Sequence, residues 1–167
     1  MKTLHLLRHA KSSWKDASLR DRDRGLNKRG GRDAPRMGEA LSHFLDPMPI
    51  VVSPARRAQL TLQGLVLGWP GLAKQQHRTE EALYTFSWED VCDWVAGQAE
   101  DCGALFLIGH NPAFTDMINE LVAEHCLDNL PTAGYARLSL EIDRWGDLLH
   151  GVSFLEQTLF PRQLPGV

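Results

Sequence analysis

Cysteine is scarce in this 167-residue chain: Cys92, Cys102 and Cys126 are the only three, and no two of them form a CxxC pair. An odd, widely spaced set gives neither a disulfide framework nor a zinc site, and it suits free thiols in a reducing compartment. Long hydrophobic runs are missing too, so no stretch approaches a membrane span. The opening "MKTLHLLRH" lacks the long apolar core and small-residue cleavage site of a signal peptide. The expectation is a mature, cytoplasmic protein that does not engage a membrane. There is no internal repeat and no linker. Several phosphate chemistries are also excluded. The chain has no GxxxxGK[ST] loop for a nucleotide, no cysteine with an arginine six residues on, and no GxSxG elbow. "DRD" at 21–23 has the look of an aspartyl nucleophile pair, but it does not follow a hydrophobic strand.

What remains is an ordinary globular composition, 43% hydrophobic and 23% charged, long enough for one domain with a sizeable core. The net charge of −3 is unevenly spread. Residues 1–57 carry 13 Lys+Arg against 6 Asp+Glu, and residues 58–167 carry 5 against 15. A basic first third suits an anionic ligand. Nucleic acid is disfavoured, because the arginines of "LRDRDRGLNKRGGR" alternate with aspartates and no aromatics are interleaved.

The hydrophobic pattern alternates strand and helix. Leu4–Leu7 reads as a buried strand, and residues 10–26 as a long loop of the kind that is often functional. A helix follows with Asn27 as its N-cap, Pro35 near its first turns, and Ala34, Met37, Leu41, Phe44 and Leu45 on one face. Gly30, Gly31 and Gly38 weaken it. "PIVVS" is a second strand. The next helix has Pro54 at its first position, Ala58, Leu62, Leu65 and Val66 inside, and Gly68 at its end. "WPGLAKQQHR" reads as a loop. Ser87 and Asp90 suggest a capping box for a helix carrying Val91, Trp94 and Val95. "ALFLIGH" is the third buried strand, and the helix after it turns Phe114, Met117, Ile118, Leu121 and Val122 inward. "YARLSLEI" and "DLLHGVSFL" add two strands that could pair antiparallel at an edge. The fold class expected is α/β: a single three-layer domain over residues 1–160, its central sheet mostly parallel with helices on both faces, and a C-terminal tail of coil over 161–167.

Ligands of open α/β sheets bind beyond the carboxyl ends of the strands. Here the first strand ends in Arg8-His9, the second in Ser53-Pro54 ahead of Arg56-Arg57, and the third in Gly109-His110. Arginine forks match phosphoryl oxygens and stay charged. Cations in the first turn of a helix run against its dipole, so Arg56 and Arg57 call for a reason. One neutral imidazole is a competent nucleophile toward phosphorus, and a second, protonated, stabilises the transferring group. The constellation reads as phosphoryl transfer through a phosphohistidine.

These segments resemble a known family. "LLRHAKSSW" is similar to the Arg-His-Gly signature of the histidine phosphatase (phosphoglycerate mutase-like) superfamily, with Ala10 for the usual glycine. "VVSPARRAQLT" is similar to its Ser-Pro-x-x-Arg-Ala-x-x-Thr segment, and "LIGHNPAF" to its second-histidine segment. With "GLNKRGGRDA" and "LPTAGYARLSL" the likeness covers nearly the whole chain and is nearest to the small SixA-type phosphohistidine phosphatases. It implies a phosphoglycerate mutase-like fold, His9 as the phosphorylated nucleophile, and Arg8, Arg57 (rather than Arg56) and His110 completing the phosphate pocket. It also implies water attack on the phosphoenzyme and no metal or other cofactor. The partner implied is a phosphorylated protein bearing phosphohistidine, or a small phosphorylated substrate.

Two departures bear on the substrate. The general acid of ester-cleaving relatives is expected around "LYTF", where Thr85 replaces a glutamate; Glu80 or Glu81 just upstream could substitute, or be ordinary solvated charges. Mutase-like members carry an asparagine where Lys15 stands. An alkoxide needs a proton to leave, whereas imidazole leaves phosphohistidine once its ring nitrogen is protonated. A weak acid therefore favours a phosphohistidine phosphatase. The alternatives are a small-molecule phosphomonoesterase and a phosphate-binding module without turnover.

Overall fold

Alternation within the first strand sets the layers. In β1 (Lys2–Arg8), Leu4 and Leu6 face one side of the sheet and His5 and Leu7 the other, and all four are buried. A strand hydrophobic on both faces needs helices over both. The computed structural model describes residues 1–166 and has that arrangement. Besides β1, the strands are β2 (Val51–Val52), β3 (Arg78–Thr79), β4 (Ala104–Gly109), β5 (Tyr135–Glu141) and β6 (Val152–Leu159), in the order β3-β2-β4-β1-β5-β6. The run from β3 to β1 is parallel, and β5 and β6 add antiparallel at the far side.

Helices α1 (Lys28–Ser42) and α2 (Arg56–Gly68) cover the face that holds Leu7, Phe106, Ile108 and Tyr135. Helices α3 (Trp88–Ala96) and α4 (Ala113–Val122) cover the face that holds Leu4, Leu6, Leu105 and Leu107. This is the expected single α/β domain with a three-layer, mostly parallel core. Among the described residues no helix is long and apolar enough to cross a membrane.

Asn27 caps α1, its side-chain oxygen accepting from Gly30 N at 2.9 Å. Three glycines act as contact points between helices. A Cβ on Gly38 would meet the Leu65 carbonyl, one on Gly64 the Ala34 methyl, and one on Gly68 the Pro35 carbonyl. Of the three glycines that weaken α1 in the sequence, Gly38 lies at this contact, where a Cβ would strike the backbone of α2.

Several details differ from the sequence reading. α2 begins at Arg56 with Ala55 as its cap, so Pro54 lies just outside it. Pro35 sits well inside α1. Phe44 lies beyond the end of α1 and is exposed. The capping box at Ser87 does not form: its hydroxyl donates to Glu89, and Asp90 accepts from Thr85 instead. The segment read as "WPGLAKQQHR" loop contains a 3-10 turn over Pro70–Lys74 and supplies Arg78 to β3, a strand too short to show a period. The tail is not plain coil, since Pro161–Gln163 forms a 3-10 turn; its last residue, Val167, lies outside the described residues.

Candidate active site

Three strand ends lie side by side because β4 is flanked by β2 and β1. Arg8 is level with Gly109, and His9 N donates to Gly109 O at 3.0 Å. On the other side of β4, Ser53 N donates to Ile108 O at 3.0 Å. The two imidazoles therefore meet, His9 and His110, with ring centroids 5.2 Å apart.

Hydrogen bonds fix the state of each ring. His9 Nδ1 lies 2.7 Å from the Ala10 carbonyl, which can only accept, so Nδ1 carries the proton and Nε2 keeps a lone pair. Arg57 Nε donates to that Nε2 at 3.3 Å. Arg57 Nη2 approaches His110 Nδ1 at 3.5 Å, and His110 Nε2 lies 2.7 Å from Ser53 Oγ. His110 thus has its Nε2 fixed on Ser53 and its Nδ1 on the side of Arg57.

Arg57 is almost fully buried, whereas Arg56 is exposed. The position of Arg57 in the first turn of α2 is offset by an anion. It donates from Nη1 to Asp21 O at 2.7 Å and from Nη2 to Asp21 Oδ2 at 3.0 Å. Asp21 belongs to a 3-10 turn, Asp21–Asp23, within the loop after β1. The loop folds back on itself, with Ser13 N bonding Gly25 O and Asn27 N bonding Lys11 O. Arg8 donates from Nη1 to Leu130 O at 3.0 Å and leaves its buried Nε without a partner. Ala10 stands where the signature has glycine, yet its backbone is not left-handed, and its N–H is held by Thr61 Oγ1 at 2.9 Å. Alanine therefore fits without strain.

A family model, the histidine phosphatase superfamily (branch 1), matches residues 4–93, more than half of the chain. The chain belongs to this superfamily. A structure assigned to the phosphohistidine phosphatase SixA of Nakamurella multipartitia matches with a TM-score of 0.79 at 26% identity, covering 96% of each chain. One assigned to SixA of Agrobacterium tumefaciens matches at 0.77 and 25%, covering 96% of this chain and 98% of that one. An uncharacterized chloroplastic protein of Arabidopsis thaliana is 48% identical over 63 residues, 37% of this chain; the match spans only 29% of that relative's length.

Burial favours the neutral form of both site imidazoles. Burial, with further repulsion from Arg57, Arg8 and Arg24, pushes His9 down to about 3, against a smaller upward pull from the Ala10 carbonyl. Burial, followed by His9 and Arg57, pushes His110 down to about 3. Asp21 behaves oppositely. Burial works against its charge, but bonds from Tyr84, Arg24 and Arg57 outweigh this and hold the carboxyl well below the usual range.

The two glutamates are not brought to this cluster. Glu81 pairs with both terminal nitrogens of Arg22, at 2.7 and 3.0 Å, and that bond lowers its pKa. Glu80 accepts from Ala82 N. Lys15 is exposed. Among the described residues no group of three or more His, Cys, Asp or Glu could hold a metal ion.

Three participants escaped the sequence reading, Asp21, Arg24 and Tyr84, and the bond from Ser53 to His110 escaped it as well. Ser53 was visible only as a strand end. Asp21 and Arg24 sit in the alternating Arg/Asp run, which reads as solvated charge; that run lies in the long loop directly after the Arg-His pair, which was the available signal.

Proposed function

We propose that this chain is a phosphohistidine phosphatase that removes a phosphoryl group from a phosphohistidine on another protein, in the reducing cytoplasm that its free thiols suit. His9 is the nucleophile. Its Nε2 lone pair attacks phosphorus, the new P–N bond forms, and the bond to the substrate imidazole breaks. The electron pair leaves on that ring, which departs neutral because its other nitrogen already carries a proton. Arg8 and Arg57 bind the phosphoryl oxygens. His110 takes up a proton as the anion binds, since a nearby negative charge favours the charged imidazole, and donates to an oxygen as charge builds. Water then attacks phosphorus, the P–Nε2 bond breaks with its pair returning to His9, and the water's proton passes to solvent. No step calls for a metal, because guanidinium and imidazolium supply the positive charge.

The observation that carries this reading is the state of the acids. The carboxylate bonded into the site, Asp21, is held ionised by three donors, and Glu81 is committed to Arg22. Neither is a ready proton donor. That suits a leaving group which brings its own proton, and it disfavours an alkyl phosphate ester.

The experiment is transfer of a radiolabelled phosphoryl group from a phosphohistidine protein. Wild type should acquire base-stable, acid-labile label and release orthophosphate with or without a chelator. His9→Ala should do neither. Undiminished turnover by His9→Ala would refute the mechanism, and rapid hydrolysis of alkyl phosphates that collapses in Glu81→Gln or Glu80→Gln would favour a phosphomonoesterase.

A further inference from the structure

His5 is a buried histidine that phosphoryl transfer does not use. It stands in the middle of β1 and is 5% exposed. His9 lies four residues further on, about 13 Å along an extended chain. The His5 ring is held on three sides. Phe106 and Tyr135 stack on it with centroids 5.5 and 5.9 Å away, and its Nδ1 lies 2.7 Å from the Tyr135 hydroxyl. Tyr135 is fully buried, and its hydroxyl has no other partner among the described residues. The phenol proton is therefore donated to Nδ1, which places the ring proton on Nε2. Burial, and then the charge of Arg137, favour the neutral ring.

The Nε2–H has no acceptor among the described residues. It is not one of the fully buried unpartnered nitrogens, which belong to Arg8 and Arg24. It opens instead onto a cavity of about 390 Å³ that His5 lines. This cavity exists because α1 and α2 cover only part of their face of the sheet: every residue lining it belongs to a strand. Arg137 is opposite His5 in the β1–β5 register, and Ser139 is opposite Thr3, so the four share one face. Glu156 of β6 stands on the rim. Arg137 makes no hydrogen bond and no ion pair among the described residues, although Glu156 lines the same cavity. Two donors, a guanidinium and an imidazole N–H, thus face one cavity with no protein acceptor.

We propose that this cavity is a second ligand site and that it takes a small carboxylate, one oxygen accepting from Arg137 and the other from His5 Nε2–H. The charges select the class. Arg137 brings the single positive charge, and Glu156 adds a negative one at the rim. A group with one negative charge is accommodated there more readily than a phosphate, which carries about two near neutral pH. A guanidinium fork also matches the two oxygens of a carboxylate. The site lies on the open face of the sheet, away from the strand ends where His9, Arg57 and His110 meet. The inference does not rest on the phosphatase reading.

The test is a titration of the nitrogen-15-labelled full chain with acetate at pH 8, read on the imidazole resonances at an ionic strength held constant with chloride. The His5 Nε2 resonance should move saturably with acetate and stay still in chloride alone. His9→Ala should keep that response, because the phosphate pocket takes no part in it. Arg137→Gln should weaken acetate binding by roughly tenfold or more, the scale of losing a charge-assisted hydrogen bond. Arg137→Lys keeps the charge and loses the fork; it should weaken binding by about fivefold, and it stands in if Arg137→Gln does not fold. Inorganic phosphate should move His5 Nε2 less than acetate at equal concentration. A His5 resonance unmoved by acetate, or acetate affinity within threefold of wild type in a folded Arg137 variant, would overturn the proposal. A phosphate response at His5 equal to that of acetate would overturn the choice of a carboxylate.

Discussion

Arg57 donates its Nε–H to His9 Nε2 across 3.3 Å, so a buried cation rests on the lone pair that must attack phosphorus. The bond is long for an N–H donor. It is strong enough to keep that nitrogen unprotonated and weak enough to be exchanged for a phosphoryl oxygen when substrate arrives. The other arm of Arg57 is fixed by the Asp21 carbonyl and carboxylate, so the guanidinium pivots little during that exchange.

Arg57→Lys tests this directly. A lysine keeps the charge but cannot serve His9, His110 and Asp21 from one rigid fork. We expect kcat/KM to fall by about 100-fold, the scale of losing one preorganised donor to a developing anion. Steady-state assays with p-nitrophenyl phosphate would read it, and activity within threefold of wild type would contradict the role.

Ser53 acts through His110. Its hydroxyl lies 2.7 Å from His110 Nε2 and also accepts from Ala55 N at 3.2 Å. Ser53→Ala should leave His110 free to rotate and lower kcat by about tenfold, the worth of a hydrogen bond of roughly 1.4 kcal/mol. Since the hydroxyl touches no substrate, KM should move less than threefold. An equal loss in a phosphate-binding titration would instead mean that the pocket itself had collapsed.

The strand ends were legible in the sequence because a buried strand must stop where polar residues begin; Arg8-His9, Ser53 and His110 were placed by that rule alone. Choosing Arg57 over Arg56 needed the family resemblance, and burial now supplies the physical reason, since only Arg57 turns into the site. The loop after β1 was legible as a loop but not as a clamp. Asp21 and Arg24 act through contacts with α2 and with Ser12, and no local periodicity encodes them. β3 was invisible for a related reason: two residues carry no pattern, and Arg78–Thr79 becomes a strand only because β2 offers an edge.

The glycines of α1 separate packing from propensity. Gly38 is buried, and a Cβ there would strike the Leu65 carbonyl of α2, while Gly31 has nothing within 4 Å of the same atom. Gly38→Ala should destabilise the fold by about 1–3 kcal/mol through overpacking. Gly31→Ala should stabilise it by roughly 0.5–1 kcal/mol through helix propensity. Urea denaturation of the pair reads both signs, and a stabilised Gly38→Ala would mean that the helices are not in backbone contact.

The buried histidines set how stability varies with acid. His5 is pushed down to about 4 by burial and then by Arg137, and His9 and His110 to about 3. In the unfolded chain each returns to about 6.5. Between these values the unfolded state binds more protons, so stability rises with pH across the window and is lost as pH falls from about 6.5 toward 4. Above that window the three histidines contribute no slope. Each adds up to about 1.4 kcal/mol per pH unit inside it. Asp21, depressed in the fold, drives stability the same way, but only nearer its own unfolded value of about 4. Urea midpoints at pH 7.5, 6.5, 5.5 and 5 should therefore be flat at first and then decline steeply, and His110→Gln should remove about one proton's worth of the decline. A midpoint at pH 5 equal to that at pH 7.5 would show that these rings titrate in the folded protein as they do in the unfolded chain, and that burial does not hold them neutral through this window.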